Sequence, residues 1–99
     1  MKKTYFTITG TQHYHGLAFM KKGMKVKLFK EPDNDYDKEA IRVEIDGAGK
    51  VGYVANSPYT VQGDSISAGR IYDKIGKKAY GKIVHVMVDG VICELKKDK

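Results

Sequence analysis

Ninety-nine residues suffice for one domain, taken over 1–99 with an ordered core at about 4–96, that buries roughly two-thirds of the surface its unfolded chain exposes. Eighteen Lys and Arg against twelve Asp and Glu leave a net charge of +6, which favours anionic partners, nucleic acid foremost, although lysine-rich surfaces also serve solubility alone. The one cysteine, Cys93, excludes an internal disulfide; with no apolar leader and no run of about 18 apolar residues, the chain reads as cytoplasmic or nucleoid-associated, with no membrane contact.

In chain order, residues 5–9 are β-branched and aromatic and predict a strand. Met24, Val26 and Leu28 then alternate with Lys25 and Lys27, which predicts a strand with a lysine-bearing outer face. Residues 30–43, KEPDNDYDKEAIRV, follow: Glu31, Asp33, Asp35 and Asp37 are a third of the twelve acidic residues, crowded around Pro32, Asn34 and Tyr36. They make one anionic spot on a cationic protein, a contrast a core does not require. Ile41, Val43 and Ile45 alternate with Arg42 and Glu44, and the turn at residues 46–49 leads into another strand over 50–54.

Between residues 57 and 76 the period changes. Ser57-Pro58 can open one helical turn, and Ala68, Ile71, Tyr72 and Ile75 fall at helical spacing behind Ser67 as N-cap and before Gly76 as a stop. Residues 81–88 and 91–95 flank Asp89-Gly90, which predicts a hairpin with its turn on that pair. The sum is a mainly β chain of about six strands with one or two short helices, arranged as a small closed or partly open β-barrel. Periodicity does not place Tyr59, Tyr72 and Tyr80 on the inside or the outside.

Three stretches together resemble the HIRAN domain: residues 10–16 (GTQHYHG), residues 31–43 (EPDNDYDKEAIRV) and Val51-Gly52-Tyr53-Val54 after a glycine turn. The shared pattern, E/D-P-x-N-x-Y-D-x-x-A-I-x-V followed after a glycine turn by V-G-Y/H, fixes order and spacing over about half of such a domain, and the chain looks like a short stand-alone bacterial version. The resemblance implies an OB-like β-barrel. It also implies single-stranded DNA binding, because in eukaryotic fork-remodelling ATPases this domain captures the 3′-hydroxyl end of a strand. A role in DNA repair or fork processing beside DNA-repair proteins would follow.

By the same resemblance, Asp37 matches the aspartate that accepts from the terminal hydroxyl, Tyr36 its aromatic neighbour, and Asn34 the amide that holds the last sugar and phosphate. Tyr14 and His13 match aromatics placed against the final bases, and Tyr53 matches a pocket-lining position. Lys25, Lys27 and Lys30 are the expected phosphate contacts. The chain departs from the pattern at Gln12, where the family has a basic residue, at His13, where it has tyrosine, and at Asn56, where a phosphate-contacting lysine is expected. Elementary electrostatics gives the end a reason: the carboxylates repel a phosphodiester or a terminal phosphate, whereas a neutral hydroxyl donates to a carboxylate in a bond worth roughly 1.5–3 kcal/mol.

Other readings of the same residues stay open. Asn34 and Asp37 can cap their own turn through nearby backbone amides, and Tyr14 and Tyr36 can plug the barrel. Asp33, Asp35, Asp37 and Glu44 stand at positions 1, 3, 5 and 12 of a calcium loop, but Lys38 occupies the place where that loop needs glycine. His13, His15, His85 and Cys93 lack zinc-ligand spacing, so no metal or other cofactor is expected. No nucleophile elbow or phosphate loop is present, and the expectation is a binding module and not an enzyme. The rival is a protein-interaction or structural module that keeps the barrel without DNA-end binding.

Overall fold

The computed structural model describes residues 3–14, 17, 18, 20–57, 60–63 and 65–96, the side chain of His13 excepted. Among these residues, alternation in the sequence becomes six antiparallel strands: β1 (Tyr5–Thr9), β2 (Lys25–Lys30), β3 (Ile41–Ile45), β4 (Gly49–Val54), β5 (Lys78–Met87) and β6 (Gly90–Lys96). A 3-10 turn (Thr11–His13) follows β1, and one short helix, α1 (Ala68–Tyr72), lies between β4 and β5. The strands pair in the order β1-β4-β3-β2-β5-β6, and β6 returns to β1, so the barrel is closed.

Period-2 patterning decides which side chains turn inward. Phe6 and Ile8 of β1, Val26 and Leu28 of β2, Ile41 and Val43 of β3, Val51 of β4, Ile83 of β5, and Val91 and Cys93 of β6 are all buried without residual exposure. Each large aliphatic or aromatic side chain so buried contributes about 1.5–3 kcal/mol relative to exposure. Burial also pushes the Cys93 thiol up to about 12, so the cysteine behaves as a small apolar filler. Helix α1 closes one end of the barrel with Ala68 and Ile71, and the Ala68 N–H donates to the Ala55 carbonyl just past β4 at 2.9 Å.

Two local expectations need correction. Ser67 does cap α1, its hydroxyl accepting from the Arg70 N–H, but the helix stops at Tyr72 and Ile75 lies beyond it. There Lys74 N–H bonds to the Ile71 carbonyl at 2.7 Å, a tight i to i+3 closure that ends the α-helical run. The β5–β6 turn falls on Val88 and Asp89, because Met87 pairs with Gly90. Gly90 therefore opens β6; a Cβ there would stand 3.0 Å from Thr7 Cγ2, so close approach and not turn geometry calls for glycine. The Thr60 and Val61 N–H groups both donate to the Ser57 carbonyl, while Pro58 and Tyr59 lie outside the described residues.

The ladder is irregular at two places. Val43 pairs with Gly52 but Glu44 pairs with Lys50, which leaves Val51 as an extra residue in β4; a second shift lies between Ile83 and His85 in β5. An extra residue inverts the alternation beyond it. Lys50 and Tyr53, three apart, consequently project from the same outer face.

Candidate functional site

The loop of residues 31–40 joins β2 to β3 and is organised by its own polar side chains. The Glu31 N–H donates to the Ala40 carbonyl at 2.9 Å and closes the base of the loop. Within it, Asn34 Oδ1 accepts from the Tyr36 N–H at 2.8 Å and from the Asp37 N–H at 3.0 Å, and Asp37 Oδ1 accepts from the Glu39 N–H at 2.9 Å. These are the local bonds Asn and Asp side chains form in turns. The second Asp37 oxygen accepts from Asn56 Nδ2 at 3.0 Å, and Asn56 Oδ1 in turn accepts from the Gly69 N–H at 2.8 Å. Asn56 thus ties the acidic loop to the first turn of α1. Gly69 permits the approach, since a Cβ there would lie 2.6 Å from Glu39 Oε1.

Held this way, the loop presents Tyr36 almost bare, 98% exposed. That rules out the barrel-plug reading for Tyr36. Tyr14 is 40% exposed and lies outside the core as well. Asp37 is half-buried and each oxygen already accepts one bond, yet a carboxylate offers about four lone-pair directions, so acceptor capacity remains.

Glu31 connects the loop to the barrel wall. Its Oε1 accepts from Asn34 Nδ2 at 3.0 Å and from the Tyr53 hydroxyl at 2.8 Å, and its Oε2 accepts from Arg42 at 2.9 Å. Burial alone would push the Glu31 carboxyl up; the bonds from Asn34, Tyr53 and Arg42, with the nearby Lys50 charge, outweigh it and hold the group below the usual carboxylate range. Arg42 also donates to Glu44 at 2.7 Å and lies over the Phe29 ring at 4.8 Å. Burial and the Glu31 carboxylate both push the Tyr53 phenol up. Lys50 Nζ donates to the Tyr53 hydroxyl at 3.2 Å and lies over the Tyr14 ring at 5.2 Å. Asn34, Glu31, Tyr53, Lys50 and Tyr14 therefore form one continuous polar and aromatic seam from the loop across β4.

The expected lysines do not form one group. Lys25 and Lys27 project outward from β2, Lys25 over the Tyr80 ring at 4.5 Å and Lys27 paired with Asp46 at 2.7 Å. Lys30 has the parity of buried Val26 and Leu28 and turns instead to the Tyr72 ring of α1 at 4.4 Å, beside the acidic loop. Two of the three tyrosines left open resolve in the same way: Tyr72 packs partly on the core, and Tyr80 stands on the outer wall, while Tyr59 lies outside the described residues. The His13 side chain and His15 lie outside the described residues. Among the described residues, no three His, Cys, Asp or Glu side chains are grouped so as to hold a metal ion.

Sequence inspection missed the parts played by Glu31, Arg42, Lys50 and Asn56. Glu31 stood out only as one member of an acidic run, and Asn56 only as a departure from a pattern. Lys50 was concealed by the β4 bulge, since strict alternation opposes it to Tyr53.

The barrel is closed and antiparallel, and it carries a polar loop and an aromatic seam on one wall. The HIRAN domain profile matches residues 1–72, and the chain belongs to the HIRAN domain family. This is a family of binding domains linked to nucleic acid. Among solved structures, a Lactobacillus plantarum protein is similar with a TM-score of 0.65 at 24% identity, over 93% of this chain and 88% of that one. The HIRAN domain of human HLTF is similar with a TM-score of 0.62 at 18% identity, over 98% of this chain and 77% of that one. Both likenesses are likenesses of fold. None of the curated proteins matches the chain significantly. No helix among the described residues is long and apolar enough to cross a membrane.

Proposed function

We propose that this chain binds single-stranded DNA at its 3′ end, with the terminal hydroxyl donating to Asp37. The carrying observation is the loop itself: Asp37 is fixed by the Glu39 N–H and by Asn56, with acceptor capacity to spare, directly beside the bare Tyr36 ring. A carboxylate held by two bonds before a ligand arrives loses little freedom on binding. The Tyr36 and Tyr14 rings offer stacking faces, worth ~1–3 kcal/mol per base. Asn34 has one of its two amide hydrogens on Glu31, which leaves the other for a phosphate or sugar oxygen. A terminal phosphate would meet the charge of Asp37 and be refused. Roles in DNA repair or fork processing, and association with repair proteins, belong to the same proposal.

One observation favours a second reading. Asp37 and Asn34 satisfy their own loop and α1, which is what a protein-interaction or structural module also needs. Fluorescence anisotropy with short oligonucleotides bearing a 3′-hydroxyl, a 3′-phosphate or a circular backbone separates the two. End capture requires clear preference for the first, and Asp37→Asn, which keeps an acceptor for the Glu39 N–H, should remove that preference while the fold persists. Equal affinity for all three ligands, or none, supports the second reading.

A further inference from the structure

The outer wall of the barrel divides by charge. On the β3–β4 half, Arg42 is shared between Glu31 and Glu44, and Lys50 is occupied by the Tyr53 hydroxyl. On the β2–β5 half the cations are in excess. Lys27 has Asp46 and Lys96 has Glu94, but among the described residues Lys25, Lys78 and Lys82 make no ion pair. Register puts these side chains on one face: Lys25 opposite Lys82, Lys27 opposite Tyr80, and Phe29 opposite Lys78.

Like charges directly opposite one another on neighbouring strands destabilise a sheet. Lys25 and Lys82 are such a pair, both exposed, and the Lys25 ammonium rests over the Tyr80 ring at 4.5 Å, close to the ladder. Glu94 stands opposite Lys82 on the β6 side but already serves Lys3 and Lys96, so the face keeps an excess of cations and a positive potential that a polyanion relieves. The ladder also has a direction. From Lys25 to Lys30 is about 17 Å along the strand, and Lys30 leads straight into Glu31 and the acidic loop while the Lys30 N–H donates to the Lys77 carbonyl on the β5 side.

We propose that the outer face of the β2–β5 ladder is the track for the phosphates of a single-stranded nucleic acid whose 3′ end lies at the acidic loop, its 5′ side running toward Lys25 and Lys82. The polarity rests on the end-binding reading; the track itself does not. Lys78 meets the phosphates nearest the loop, and Lys25 and Lys82 meet those farther upstream. On the β3–β4 wall Arg42 and Lys50 are matched by Glu31 and Glu44, so that wall offers the backbone no comparable excess of positive charge. End selection and strand grip are thus carried by different parts of the barrel.

The test is affinity against length and salt for 3′-hydroxyl thymidine oligonucleotides of three, six and twelve nucleotides. For the wild type, affinity should rise from the shortest to the longer strands. Lys82→Ala should reduce that gain and lower the slope of log K against log salt by about 0.7, the loss of one single-strand phosphate contact. Lys74→Ala, an equal change of net charge beyond α1, should leave both quantities unchanged. Lys82→Ala removes both a like charge opposite Lys25 and an opposite charge across from Glu94, so its melting temperature should stay close to that of wild type, and measuring it separates lost grip from unfolding. A Lys82→Ala protein with the length gain and salt slope of Lys74→Ala overturns the track. If the wild type fails to distinguish a 3′-hydroxyl from a 3′-phosphate, the end reading fails, and the Lys82 comparison still decides the track. For polarity, a nitroxide on the 5′ end of the six-nucleotide strand should broaden the amide resonances of residues 78–82; broadening confined to β3 and β4 refutes it.

Discussion

Replacing Glu31 by glutamine tests whether this side chain holds the loop to the barrel. Its carboxylate is 18% exposed and accepts from Asn34, Tyr53 and Arg42. Hydrogen bonds to a charged group contribute about 1.5–3 kcal/mol and neutral ones about 0.5–1.5, so loss of the charge weakens each by roughly 1 kcal/mol. Arg42 retains Glu44, and the bonds are not additive, which brings the expected loss to about 2–3 kcal/mol at neutral pH. For a chain of this size that is roughly 10–20 °C in melting temperature. Because the folded carboxyl lies below its unfolded value of about 4.3, the stabilisation is complete above that pH and drains away as pH falls through the lower, folded value. Urea denaturation of wild type and Glu31→Gln from pH 7 to pH 3 should show two stability curves that converge on the acid side. A gap under about 0.5 kcal/mol at pH 7, or one that persists undiminished at pH 3, would refute the assignment.

Tyr36→Ala should change unfolding free energy by less than about 0.5 kcal/mol, since the ring is 98% exposed, yet weaken oligonucleotide binding; calorimetry and anisotropy on the same sample separate the effects. Gly81→Ala should cost about 1–3 kcal/mol by denaturant titration, because its Cβ would stand 2.7 Å from the Glu94 carbonyl oxygen and 2.9 Å from the Phe6 ring. Cys93, fully buried with its thiol pushed up to about 12, should be silent to a thiol-specific disulfide reagent in native protein and react fully in denaturant; rapid native reaction would contradict its place in the core.

The strands were legible because each obeys a period of two between turn residues: Val26 and Leu28 against Lys25 and Lys27, and Ile41, Val43 and Ile45 against Arg42 and Glu44. The loop was legible as a chemical contrast, and Ser67 as a cap. What escaped was set by three-dimensional closure. Glu31 meets Tyr53 across 22 positions of sequence, a contact no local rule contains. The extra residue at Val51 reverses the facing of β4, so the nearness of Lys50 to Tyr53 cannot be counted off along the strand. Lys30 was grouped with Lys25 and Lys27 by proximity, although its parity already assigned it the other side.

Tyr5 of β1 pairs with Glu94 of β6, and the Leu95 N–H donates to the Thr4 carbonyl at 2.7 Å. The polypeptide therefore enters and leaves the barrel at one corner. Two adjacent ends are the geometry needed to set a folded unit into the surface loop of a host without stretching either connection. Such a unit is portable: grafted between two neighbouring residues of a motor or a nuclease, the barrel would close as it does here, with its acidic loop and lysine ladder still facing outward.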